Sequence, residues 1–255
     1  MEKLLVDKVR LLDSRLESLS GTKTVIRIDH AFSALAGDII VHISCGAPPR
    51  LIEETDFSPT WVIEMIPDSL LLQVFPEGIA TMALGKTGRH YIDKIKTQIR
   101  EGKLAPDDSL NSVFHHLLTS DIPESEKSTL RLQAEATVLL VSGTFSTSLA
   151  MSMITYHILS DPQVENRLRV DLKGAMACYP ARDPLWADLE KIPYLEGCIK
   201  ETPVGMSINY MTTDSSVYPE PFKFIPERWI GDYAPQMDRN FVPFAKGSRI
   251  CVGIK

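Results

Sequence analysis

Residues 244–253 read Phe244-Ala245-Lys246-Gly247-Ser248-Arg249-Ile250-Cys251-Val252-Gly253. A cysteine is held between two glycines, behind a proline-rich coil and two residues after an arginine. Glycine lets a backbone approach a flat group without a Cβ clash. Backbone N–H groups in such a loop can point at the sulfur and tune it as a donor. A nearby guanidinium lowers the thiol pKa and can pair with an anion. The stretch therefore predicts a thiolate metal ligand facing a flat cofactor. The competing reading is a buried free cysteine in a glycine-bounded loop, the common fate of a lone thiol.

Upstream of this loop the texture is coil. After Pro203 proline becomes dense (Pro219, Pro221, Pro226, Pro235, Pro243), aromatics cluster and regular periodicity disappears. Before Pro203 the pattern is helical. Leu4, Leu5, Val9, Leu12, Leu16 and Leu19 fall at helical spacing, predicting a helix over 2–19. Further helices are expected over His30–Ser44, Arg89–Glu101, Asn111–Leu118, from Gln163 on, and over Leu189–Thr202. The longest element runs from about Glu126 to Leu159 without a proline. At 1.5 Å per residue it would measure roughly 50 Å. A short strand is possible at 22–28 or 204–211. The fold class is mainly α, with a long central helix, a coil-rich C-terminal quarter and little β.

The long helix carries no Asp, Glu, Lys or Arg from Ala136 to Ser160, enough to cross a bilayer. Hydroxyls interrupt it throughout, however, and Gly143 sits at its middle. A helix buried on all sides of a soluble core is the preferred reading. Within it, Ser142-Gly143-Thr144-Phe145-Ser146-Thr147 surrounds a glycine with hydroxyls. Ser and Thr can bond back to carbonyls one turn earlier and bend the axis. The result is either a groove for a small ligand or a close helix–helix contact.

Composition narrows the function classes. The 255 residues are 44% hydrophobic and 24% charged, ordinary for a globular protein. With 27 basic and 33 acidic residues the net charge is −6, and no basic stripe supports nucleic-acid binding. Cys45, Cys178, Cys198 and Cys251 form no CxxC pair, so a zinc module is unsupported and free thiols are expected. Gly85-Lys86-Thr87-Gly88-Arg89-His90 lacks the earlier glycine of a phosphate loop, which leaves Gly85 and Gly88 as expected turn residues. His115 and His116, adjacent on a helix, point about 100° apart and suit structure better than a shared ion.

Taken together, these residues resemble the cytochrome P-450 family. The Phe244–Gly253 run fills every defining position of its haem-binding loop, FxxGxRxCxG. Pro226-Glu227-Arg228-Trp229 is similar to the family's P-E-R-F meander motif. Ser142–Thr147 is similar to the A-G-x-[DE]-T-T stretch of its oxygen-activating helix. Tyr194–Thr202 resembles the opening of the helix that carries E-x-x-R. The likeness covers the whole chain in order, and its flavour is that of fungal secondary metabolism.

That resemblance implies a partial P-450-like fold and a haem-thiolate monooxygenase using heme b. Cys251 would be the iron ligand, with Phe244, Gly247, Arg249 and Gly253 around the cofactor; Arg249 would pair with a propionate. Ser146, in the place of the family's threonine, and Thr147 would help deliver protons. Glu201 and Arg228 would form the structural pair. The implied partners are O2, a small apolar substrate such as a terpenoid, and an NADPH-dependent cytochrome reductase. The implied location is the cytosolic face of the endoplasmic reticulum membrane; the chain shows no anchor of its own and is otherwise expected in the cytoplasm.

The departures are specific. Phe145 replaces the acid and Ser146 the threonine. Val204 stands where E-x-x-R has its arginine, and Pro203 cuts the helix off. Loss of that cation predicts an unpaired buried carboxylate at Glu201, costing about 3–5 kcal/mol. The sequence thus reads as one partial domain over 1–255, lacking the N-terminal region, the segment after Thr202 and the helix after Cys251. The alternative function is an inactive helical remnant that binds no haem.

Overall fold

A computed structural model describes residues 1–46, 49–57, 76–102, 112–202 and 213–254. It divides into two compact units, Met1–Ser148 and Leu149–Lys255.

In the first unit, α1 (Glu2–Leu19) follows the leucine periodicity, although Leu12 is its buried residue. Helix α2 (Ile28–Cys45) is apolar on most faces and ends where Gly46 takes a left-handed conformation (φ 79°). Asp38 on α2 is fully buried and is held twice. Lys8 of α1 lies 3.1 Å away, and the Leu51 N–H donates to it at 2.8 Å. That carboxylate pins α1, α2 and the 3-10 turn Leu51–Glu53 together. Arg15 of α1 lies over the Phe57 ring and donates to the carbonyls of Glu53, Glu54 and Thr55.

Helices α3 (Pro76–Arg100), α4 (Val113–Thr119) and the part of α5 (Thr129–Ser160) up to Ser148 complete this unit's core. Ser112 caps α4 by accepting from the His115 N–H. Val41, Cys45, Ile92, Ile95, Phe114, Leu132, Ala136 and Leu140 pack together. Burial pushes the Cys45 thiol up to about 12, so it behaves as a small hydrophobe. Gly85 and Gly88, expected in a turn, lie instead inside α3. A Cβ on Gly88 would come within 2.6 Å of the Ala136 Cβ, so this glycine serves the close approach of α3 to α5.

The expectation of all-round burial for α5 is overturned. Leu132, Ala136, Leu140, Thr144 and Ser148 are its buried residues, a stripe at a strict spacing of four. That spacing traces one i±4n ridge along the helix. Val138, Phe145, Leu149, Tyr156 and Leu159 are exposed. Among the described residues, α5 is the helix long and apolar enough to cross a membrane, a test that core helices also pass.

In the second unit, Asp161 caps α6 (Pro162–Leu172) by accepting from the Gln163 N–H, with Pro162 at the first helical position. After α7 (Trp186–Leu189), the helix α8 (Pro193–Lys200) opens on another proline. Val164, Leu168, Tyr194 and Cys198 join α6 and α8. Helix α8 lies on the 3-10 turn Pro226–Trp229 so closely that a Cβ on Gly197 would meet the Pro226 carbonyl oxygen at 2.6 Å. Tyr218, Trp229 and Met237 form a further cluster with α9 (Pro235–Asn240). Residues 22–28 contain no strand, and 204–211 lie outside the described residues. None of the four cysteines forms a disulfide.

Candidate active site

The predicted residues fall in three places. Ser146 and Thr147 sit on α5, in the first unit. Glu201 with Arg228, and the Cys251 loop, belong to the second.

Glu201 follows the last turn of α8. Its side chain is 7% exposed, and that of Arg228 is 9% exposed. Arg228 Nε lies 2.9 Å from Glu201 Oε1, but its N–H is not aimed at the oxygen, so the contact is Coulombic rather than a formed hydrogen bond. The other donors are well placed. The Ile225 N–H reaches Oε1 at 3.1 Å, and the Trp229 indole N–H reaches Oε2 at 2.7 Å. The Arg228 guanidinium also donates to the carbonyls of Pro219, Glu220 and Lys223. The sequence-based expectation of an unpaired carboxylate is therefore corrected: Glu201 has a cation and two N–H donors. Val204 itself lies outside the described residues. Burial still pushes the Glu201 carboxyl above its ordinary range, against the pull of the Ile225 N–H, the Arg228 charge and the Trp229 N–H.

Sequence reasoning missed Trp229 and Tyr194 as members of this framework. Tyr194 Oη donates to Glu227 at 2.9 Å, tying α8 to the same turn. The available signal was an indole N–H one residue past the arginine, which needs an acceptor when buried. A cavity of about 180 Å³ opens beside Glu201, walled by His157, Tyr218, Phe224, Arg228 and Trp229. The His157 ring stacks on Phe224 (centroids 4.7 Å apart, planes 3° apart), and burial lowers its pKa.

The Cys251 loop is built almost entirely from backbone turns. The Ala245 N–H bonds to the Val242 carbonyl at 3.0 Å, and the Ile250 N–H to that of Gly247 at 3.2 Å. The Cys251 N–H closes the loop on the Phe244 carbonyl at 2.9 Å. Gly247 has φ 80° and Ala245 has φ 58°, both left-handed. Only the glycine adopts that conformation without strain. Cys251 is a free, exposed thiol. Gly253 lies beside it, where a Cβ would sit 3.7 Å from Sγ. Phe244, Ile250 and Val252 are apolar and exposed around it. Arg249 ends the 3-10 turn Gly247–Arg249; its side chain lies outside the described residues.

On α5, Ser146 and Thr147 are exposed. Ser146 Oγ donates to the Ser142 carbonyl one turn earlier, and Ser142 Oγ to that of Val138. Phe145, beside them, is 67% exposed. Gly143 meets α2: a Cβ there would come within 2.6 Å of Ile40 Cγ1. Of the two readings of this hydroxyl-rich stretch, a close helix contact thus holds at Gly143. Thr144 next to it is buried, while Ser142, Ser146 and Thr147 are exposed.

The second unit thus holds a free thiol in a glycine-bounded loop and a buried glutamate–arginine framework, and the first holds exposed hydroxyls on a long helix. The model of the family described as cytochrome P450 matches residues 1–203 and again 200–255. The chain belongs to the cytochrome P450 family, and its mainly helical architecture is a partial form of that fold. It is 34% identical to cytochrome P450 monooxygenase tndB of Aspergillus flavipes, over 100% of this chain and 67% of the relative. It is 34% identical to cytochrome P450 monooxygenase vrcB of Aspergillus aculeatus, over 100% of this chain and 58% of the relative. It is 32% identical to fusicoccadiene C-8 hydroxylase of Phomopsis amygdali, over 96% of this chain and 58% of the relative. The chain thus spans 58–67% of the length of these relatives.

Proposed function

We propose that the chain derives from a haem-thiolate monooxygenase that inserts one oxygen atom of O2 into an apolar secondary metabolite. The observation that carries this reading is the Cys251 loop: a free, exposed thiol with Gly253 against the sulfur and apolar side chains around it. A soft thiolate donor on a glycine-bounded loop fits heme b. Once bound, haem with a cysteine thiolate supplies O–O cleavage.

Each residue then has a task. Cys251 Sγ would ligate the iron, and its loop geometry, closed by the Cys251 N–H on Phe244, aims it. Phe244, Gly247 and Gly253 would offer the cofactor an apolar surface free of Cβ bulk. Arg249 would balance an anionic edge. Ser146 Oγ would hold and pass a proton, leaving its bond to the Ser142 carbonyl by rotation about χ1. Serine lacks the methyl that restricts this rotation in threonine. Thr147 would supply a second hydroxyl. Phe145 and Leu149, exposed and uncharged, favour a neutral apolar substrate. The name of the fusicoccadiene C-8 hydroxylase relative points the same way, toward a terpenoid. A reductase fed by NADPH would deliver the electrons, at the cytosolic face of the endoplasmic reticulum.

A second reading has its own observation. The family model matches in two pieces that meet at 200–203, and the alignment to tndB runs over 326 positions against 255 residues here. We infer that the chain is one partial domain with a segment lost after Thr202, and on this reading it would be a remnant that holds no haem.

Purifying the chain and supplying ferric haem separates the two. The first reading expects a Soret band that shifts on reduction under carbon monoxide and disappears in Cys251→Ala. A colourless product, or a band that survives the substitution, overturns it.

A further inference from the structure

Lys246 lies inside the cysteine loop at a position that the motif leaves open. Its Nζ donates to the Arg239 carbonyl at 3.2 Å. That carbonyl belongs to the last turn of α9, where a helix lacks intrahelical partners for its C=O groups and carries partial negative charge. Among the described side chains, Lys246 is the one that ties the loop by a hydrogen bond to the element before it.

The backbone makes this tie consequential. Lys246 is extended (φ −140°, ψ 161°) between left-handed Ala245 and left-handed Gly247. The chain therefore reverses on both sides of this one residue. An alanine at positive φ is strained and persists only where its surroundings fix it. With Phe244, Ile250, Cys251 and Val252 exposed, few packing contacts can do so.

We propose that Lys246 is a positioning residue for the Cys251 thiol: its ammonium clamps the loop to the end of α9 and sets the sulfur in its ligating orientation. This rests on the haem-thiolate reading only for the identity of what the sulfur meets. The clamp itself is a property of the protein alone.

The test uses the full chain, Lys246→Ala and Lys246→Arg, in two measurements. The first is amide hydrogen exchange over 244–251 without haem. One hydrogen bond to a charged donor is worth a several-fold change in local opening. The Cys251 amide should exchange roughly fivefold faster in the alanine variant and return toward the original rate with arginine. The second is ferric haem titration followed by the reduced carbon monoxide spectrum. The alanine variant should bind haem about fivefold more weakly and show a larger fraction of thiol in place of thiolate ligation, again restored by arginine.

Equal exchange in all three proteins, or an acceleration that arginine does not reverse, overturns the clamp. Accelerated exchange with unchanged haem affinity and spectrum overturns the positioning role. If the unmodified chain takes up no haem, the monooxygenase reading fails while the exchange rates still decide the clamp.

Discussion

Glu201 and Cys251 sit in the same compact unit and are built in opposite ways. The glutamate is 7% exposed and is surrounded by an N–H from Ile225, an indole N–H from Trp229 and the Arg228 guanidinium. The cysteine is exposed, and its loop is held by three backbone bonds, one lysine and two left-handed residues. The first arrangement is closed by protein atoms and acts as a frame. The second leaves its reactive atom open. The framework draws its partners from residues 194–229 of the same unit, while the open thiol depends on what meets it from outside.

The contrast breaks most decisively at Glu201. Glu201→Ala strands the Arg228 charge and the Trp229 N–H in a buried site. It should cost about 3–5 kcal/mol, read as a loss of urea-unfolding stability. Cys251→Ala, at an exposed atom, should leave the same measurement within about 0.5 kcal/mol. Comparable losses for the two would erase the distinction between frame and open site. Next in size is Gly197→Ala. The new methyl would press on the Pro226 carbonyl oxygen, a backbone atom that cannot step aside. Overpacking of this kind costs about 1–3 kcal/mol and would part α8 from the turn that carries Arg228. A neutral result would mean that α8 and this turn are not in contact.

How much of this was legible beforehand divides along the same line. The leucine spacing placed α1 over the residues observed, and the helix expected from Gln163 on is α6; the helix expected over Leu189–Thr202 is shorter, with α7 ending at Leu189 and α8 running only from Pro193 to Lys200. The thiol loop could be read because glycine and cysteine carry their chemistry in their own identity. Glu201's partners could not all be read. Trp229 and the Ile225 amide reach it from 24 to 28 positions away, and no local pattern encodes that return. The helix α5 failed for a related reason. An uncharged run looks the same whether one stripe or every face is buried, and only the packing against α2 and α3 selects Leu132 through Ser148. Gly85 and Gly88 were misassigned as turn residues because a glycine that admits a neighbouring helix resembles one that permits a bend.

A smaller effect sharpens the electrostatics. Burial raises the Glu201 carboxyl above its ordinary value. Between the unfolded pKa and the raised folded one, the native state binds more proton than the unfolded state. Stability should then fall as pH rises through that window and level off above it. Subtracting the profile of Glu201→Gln, which cannot titrate, isolates this term. A difference that grows with pH in favour of the unmodified chain would mean that Arg228 and the N–H donors outweigh desolvation.

The smallest expected change lies in the open loop, at Ala245. Its φ of 58° is a conformation that glycine adopts freely and alanine does not. Ala245→Gly relieves that strain but loosens the unfolded chain, and the two effects partly cancel. A net gain of about 0.5–1 kcal/mol in thermal or urea stability should remain, because the left-handed penalty on alanine is about 1–2 kcal/mol. The same substitution in the Lys246→Ala background should gain less, because without the clamp Ala245 can leave the left-handed region and less strain remains to relieve. A loss of stability in both backgrounds would instead show that position 245 is not left-handed. The turn that aims Cys251 would then have to be redrawn, while the frame around Glu201 would stand unchanged.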